Sequence, residues 1–142
     1  MIKNIFILYL IGLFSCNKIG EKNESWDRLF DGKTLTGWYV IGGNAKYEVR
    51  DGIIVGTSVL NTLNTFLCSD KFYDDFILEI EYKIDSNMNS GIQIRSNSID
   101  SYKHGKVHGY QIEIDPSERA WSGGIYDEGR RGWLYSLNEN PE

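Results

Sequence analysis

Tyr110-Gln111-Ile112-Glu113-Ile114-Asp115, closed by Pro116, is the stretch whose reading decides the fold. At period two it puts Gln111, Glu113 and Asp115 on one face and Ile112 and Ile114 on the other, as in a strand with one polar and one apolar side. Side chains two apart on a strand are roughly 7 Å from each other along its axis, so both carboxylates can reach one small ligand from a rigid element. The simpler reading is a solvated outer face, which antiparallel sheets commonly have.

Other segments repeat the pattern. Gly91-Ile92-Gln93-Ile94-Arg95 alternates in the same way and offers Gln93 and Arg95 on its polar side. The run from Phe76 to Ile84 turns Phe76, Leu78, Ile80, Tyr82 and Ile84 inward and Glu79, Glu81 and Lys83 outward. Trp38-Tyr39-Val40-Ile41 and the segment from Thr65 to Cys68 are rich in strand formers. Tyr47-Glu48-Val49-Arg50, Asp51-Gly52 and Ile53-Ile54-Val55 make the strongest hairpin signal, because Asp-Gly supplies the positive φ angles of a tight primed turn. Turn signals recur at Asp31-Gly32, Gly42-Gly43, from Asn87 to Gly91 and at Gly123-Gly124, and no long stretch has helical periodicity. An all-β domain of two packed sheets follows.

The chain opens with Lys3, an apolar run from Ile5 to Phe14, and Ser15-Cys16. That is the pattern of a secretory signal peptide, too short to cross a bilayer as a helix and no part of the fold. Leu13-Phe14-Ser15-Cys16 resembles a bacterial lipobox, with Cys16 as the lipidated residue; simple secretion is the alternative. The expected organisation is a signal peptide over 1–16, a polar tether over 17–25 and one domain over 26–142, exported to the periplasm or cell surface. Removing the leader takes 15 basic residues to 14 against 20 acidic ones, a net charge of −6. An acidic domain without a basic stripe speaks against nucleic acid, and membrane contact is expected through the lipid anchor only. Only Cys68 remains beside Cys16, so it reads as a small core residue and not half of a disulfide.

Leu29-Phe30-Asp31-Gly32-Lys33-Thr34-Leu35-Thr36-Gly37-Trp38, the Asp51-Gly52 hairpin, Asn89-Ser90-Gly91-Ile92, and the region from Gly109 to Trp133 with Trp121-Ser122-Gly123-Gly124-Ile125-Tyr126-Asp127 occur in an order that resembles the 3-keto-disaccharide hydrolase domain family. The resemblance runs from about Trp26 to the end. It implies a concanavalin-A-like, two-sheet jelly-roll sandwich, bacterial export and action on glycosides oxidised at C3. In that family the domain continues past a loop like Asn138-Glu139-Asn140-Pro141 into strands that close the sandwich. The expectation here is therefore an N-terminal fragment, truncated at its C-terminus.

A ketone at C3 acidifies the hydrogen at C2, so a base can abstract it, the C1 oxygen can leave by β-elimination, and water can then add. The reaction asks for a base at C2, a donor or cation at the enolate oxygen and an acid at the leaving oxygen. Glu113 or His108 is the candidate base, Arg95 the candidate cation, and Asp115 or Asp127 the candidate acid or orienting group. Gln93, Gln111, Tyr110, Trp121, Tyr126 and Trp133 are candidates for holding the sugar. Two other readings stand beside this one. Glu113 and Asp115 resemble the paired carboxylates of a retaining glucanase, which work at about 5 Å. Alternatively Tyr102, Tyr110, Trp121, Tyr126, Trp133 and Tyr135 stack on sugar rings without catalysis, although core packing explains any one of them. His104 and His108 are four apart, but Gly105 and Gly109 disfavour the helix that would make them a metal pair. The sequence names no cofactor with certainty, and a divalent ion on His108 with nearby carboxylates is the metal arrangement left open. Arg130 and Arg131 beside Asp127 and Glu128 read as solvated loop pairs, unless one of them orients Asp127.

Overall fold

The computed structural model describes residues 26–135, the last as backbone only, and residues 5–15 likewise as backbone. The chain divides into two compact units, Met1–Lys83 and Ile84–Glu142.

In the first unit the strands are β1 (Ile5–Ser15), β2 (Trp38–Gly42), β3 (Lys46–Arg50), β4 (Ile53–Thr57), β5 (Thr65–Ser69) and β6 (Phe76–Ile84). They form a four-stranded sheet in the order β3-β4-β1-β6 and a two-stranded β2-β5 ribbon. Asp51 and Gly52 take φ values of 50° and 80°, so the β3–β4 turn is the tight primed type expected, and Arg50 faces Ile53 across it. Ahead of β2, Asp31 Oδ1 accepts the amides of Lys33 and Thr34, each at 2.7 Å, which fixes the turn before Leu35.

Phe30 and Ile54 centre the core, with Leu29, Leu35, Trp38, Tyr47, Val49, Leu67 and Ile80 packed against them. Burying an aliphatic or aromatic side chain of this size stabilises by about 1.5–3 kcal/mol, so this cluster dominates the first unit. Cys68 is half-buried and unpaired, and burial raises the pKa of its thiol, as befits a small core residue and not a nucleophile. In β6, Phe76, Leu78, Ile80 and Ile84 are partly covered while Glu79, Glu81 and Lys83 are exposed. Tyr82 departs from the expected inward row: it is exposed, an amphipathic ring that tolerates water better than the aliphatics beside it.

The apolar run expected to stand outside the fold lies here as β1, antiparallel to β4 with Ile5 opposite Thr57 and Leu8 opposite Ile54. An apolar segment of eleven residues and an apolar strand edge pair readily. Cys16 and the tether lie outside the described residues.

The second unit is one antiparallel sheet in the order β10-β9-β8-β7, built from β7 (Ser90–Asn97), β8 (His108–Ile114), β9 (Ile125–Glu128) and β10 (Gly132–Tyr135). The β9–β10 hairpin was not anticipated. Its strands are only four residues long and its turn is charged, so its pattern is weak in isolation, and pairing of β9 with β8 holds it in place. The described residues contain no helix: the protein is all-β, with antiparallel sheets consistent with a β-sandwich.

Candidate functional site

Directly opposed residues of an antiparallel pair share a face, so the register of the second sheet sorts its side chains. Glu113 lies opposite Gly91, Gln111 opposite both Gln93 and Tyr126, and Trp133 opposite Tyr126. These residues occupy one face. Ile112 lies opposite Ile92 and Ile125, and Tyr110 opposite Ile94 and Asp127, and these occupy the other. The expected division of β8 into an amide-carboxylate side and an isoleucine side is present.

The interior of this sheet is unusual in its charge. Glu113, Asp115, Asp127 and Glu128 are all buried, against Val107 and Ile114 as the buried hydrophobics of the same unit. An ionised carboxylate leaves water only when paired or hydrogen-bonded. Glu113, 3% exposed, accepts the Asn89 side-chain amide on Oε1 at 3.0 Å and the Gln111 amide on Oε2 at 2.7 Å. Gln111 also accepts from Gln93, completing a row of amides across β7 and β8. The row needs glycine at Gly91, where a Cβ would come within 2.4 Å of Gln111 Cγ and Cδ.

Asp115 stands just past the end of β8 and joins Glu113 through one cation. Arg119 donates Nε to Asp115 Oδ2 at 2.7 Å, and its Nη2 lies 3.9 Å from Glu113 Oε1. A Ser117 side-chain hydrogen bond, opposed by burial and aided by Arg119 and the Ser117 amide, holds the Asp115 carboxyl below the usual carboxylate range. The loop carrying Arg119 is itself tied back. Ser122 Oγ accepts the Asp115 amide and donates to the Asp115 carbonyl, while Glu113 exchanges backbone bonds with Gly123 and Gly124.

Beside the carboxylates lies an aromatic group. Trp133 meets Trp121 edge-on at 4.7 Å between ring centroids and Tyr126 at 5.1 Å. The Arg119 guanidinium sits 4.3 Å from the Trp121 ring centre and 5.6 Å from that of Trp133. These rings first pack on one another and on an arginine, the arrangement that core packing anticipates.

The remaining candidates lie elsewhere. A bulge re-registers β7 between Ile94 and Asn97, with Arg95 at φ 50° and exposed. Ser96, whose Oγ bonds Gln93 Oε1, takes the polar-face place beside Gly109, so Arg95 does not continue the row that Gln93 begins. Alternation along β8 puts His108 with Tyr110 on the isoleucine side. There His108 packs on Tyr102 at 4.1 Å and donates Nδ1–H to the Lys106 carbonyl. Asp127 is on that side too, fully buried, with one oxygen on Arg130 Nε and the other on Arg131 Nε, each at 2.6 Å. Burial opposes its ionisation, but the hydrogen bonds from Arg131 and Arg130 prevail and hold its carboxyl below the usual range. Arg130 also lies over the Tyr110 ring at 5.1 Å. Both arginines orient Asp127, and neither is a free loop charge. The sheet thus separates His108, Tyr110 and Asp127 from Glu113. Among the described residues no three of His, Cys, Asp and Glu come together as a metal-holding group, His108 included.

The 3-keto-alpha-glucoside-1,2-lyase-like domain matches the chain over residues 25–142. The chain belongs to this family. The name is that of a lyase-like domain for 3-keto-alpha-glucosides, and the match covers the whole candidate site. No curated protein matches the chain. Within this lyase-like domain the sequence reading passed over Asn89, Arg119 and Ser122. Asn89 and Ser122 had a signal, since they stand in Asn89-Ser90-Gly91 and Trp121-Ser122-Gly123-Gly124; Arg119 had none, because its loop has no period to read.

Proposed function

We propose that the protein cleaves glycosidic bonds of sugars oxidised at C3, by elimination followed by hydration. Glu113 is the base that takes the C2 proton. The electron pair first forms the enolate, with its charge on the C3 oxygen, and then the C1–C2 double bond as the C3 carbonyl re-forms and the C1–O bond breaks; the leaving oxygen takes a proton. Water then adds, hydroxyl to C1 and proton to C2, for a net hydrolysis. The family match supports the substrate class; the observation that carries the site is the buried Glu113 carboxylate, held by Asn89 and Gln111 beside a half-exposed arginine and an aromatic group. A retaining glucanase is less well served. Its two carboxylates must face each other across the sugar, and here the Arg119 guanidinium bridges Glu113 and Asp115.

Export and lipid anchoring through Cys16 belong to the same proposal, with the reaction in the periplasm or at the cell surface. The intact protein, incubated with native and C3-oxidised disaccharides with and without a chelator, tests it. Free sugar is expected from the oxidised substrate, and Glu113→Gln is expected to slow its release by about 10²–10⁴-fold. Cleavage of native sugar alone refutes the keto-sugar reading, unchanged turnover in Glu113→Gln removes that residue from the mechanism, and saturable binding without turnover leaves a carbohydrate-binding domain.

A further inference from the structure

Elimination from a 3-keto sugar puts negative charge on the C3 oxygen before the C1–O bond breaks, so some fixed donor must meet that oxygen. We infer that Arg119 is this donor and that Asp115 is its positioning residue, an assignment that rests on the reaction proposed above.

Three features single out Arg119. It belongs to the face that carries Glu113, and its side chain is 43% exposed while the two carboxylates it addresses are 3% exposed, so it is the charged group of the cluster that solvent and solute reach. It hydrogen-bonds Asp115 through Nε, and although Nη2 faces Glu113 Oε1 it does so at 3.9 Å, beyond hydrogen-bond distance, so the terminal nitrogens keep N–H donors for an oxygen carrying charge. Its plane is set before any substrate arrives. Asp115 holds it at 2.7 Å, and the Trp121 and Trp133 rings flank it at 4.3 and 5.6 Å.

Asp115 is fixed in turn, with Oδ1 on the Ser117 amide and its backbone N–H and carbonyl both on Ser122 Oγ. A donor held this way needs little rearrangement as charge develops, which is what makes preorganised donors effective. A guanidinium also keeps its proton throughout, so it stabilises the enolate without ending the reaction by proton transfer.

The other arginines of the second unit are placed differently. Arg95 sits in the exposed bulge, off the row begun by Gln93, and Arg130 and Arg131 are committed to Asp127 on the isoleucine side of the sheet. Two buried carboxylates beside one arginine also explain why the loop after β8 is tied down at Ser122: unless Arg119 is in place, Glu113 and Asp115 lie close together without a counter-charge.

The experiment uses the intact protein and a 3-keto-disaccharide in D2O, followed by NMR for loss of the C2–H signal and for release of free sugar. Wild type is expected to do both. Arg119→Gln should lower kcat for both by about 10²–10³-fold, the loss found when one oxyanion donor is removed. Arg119→Lys keeps the charge that neutralises Glu113 and Asp115 and so guards against misfolding; without the fork, its kcat should still fall at least tenfold at an unchanged thermal midpoint. Asp115→Asn should lower kcat with little change in KM, and Asp115→Glu should restore part of the loss, which a merely structural role would not produce. Folded Arg119 variants with wild-type exchange and release overturn the inference and leave the proposed reaction standing. Failure of the wild type to exchange C2 or release sugar refutes the reaction, and the role of Arg119 falls with it.

Discussion

Gly91→Ala tests the amide row under the candidate base. Gly91 is a strand residue opposite Glu113, and its backbone is not in the left-handed region, so an alanine meets no conformational strain there. By itself the exchange should help the strand by roughly 0.5–1 kcal/mol, because glycine loses more freedom on folding. The added methyl, however, would stand 2.4 Å from Gln111 Cγ and Cδ and 2.8 Å from its Nε2. Gln111 must swing away, giving up its bond to the Glu113 carboxylate and its bond from Gln93. A hydrogen bond to a charged group contributes about 1.5–3 kcal/mol and a neutral one about 0.5–1.5, so the net change should be a loss of about 1–4 kcal/mol. Urea unfolding of wild type, Gly91→Ala, Gln111→Ala and the double variant reads this as a cycle. With Gln111 already truncated, the alanine at position 91 should be neutral or stabilising. Equal effects of Gly91→Ala in both backgrounds would refute the account, because the clash would not be with Gln111.

Asp31, Asp115 and Asp127 all bind their protons less readily folded than unfolded. Their contribution to stability is thus complete above the unfolded aspartate value of about 3.9 and is lost as pH falls from there through their lowered folded values. Thermal midpoints between pH 6 and 2 should drop most steeply below about pH 4, and Asp127→Asn should shallow that limb; an unaltered limb would mean Asp127 does not titrate with folding. Gly52→Ala places a Cβ at φ 80° in the primed turn and should cost about 1 kcal/mol or slightly more by urea unfolding, and no loss would argue against the primed turn.

Local pattern sufficed for much of the framework. The β3–β4 hairpin, β2, β5, β6 and the two-faced character of β8 follow from alternation and from Asp51-Gly52, because period two and turn chemistry act over a few residues. The same reasoning put Gln111, Glu113 and Asp115 together, since neighbours along one strand need no further information. What pairs with what across the sheet was decided only in three dimensions. A single added residue at Arg95 shifts β7 past β8 and takes that arginine off the polar row, and the β8–β9 register sends Asp127 to the far face. Arg119 reaches the carboxylates from a loop with no period at all. Strand composition is local and legible; register, bulges and loop closure depend on contacts between residues distant in the chain, and those contacts bring a cation to Glu113.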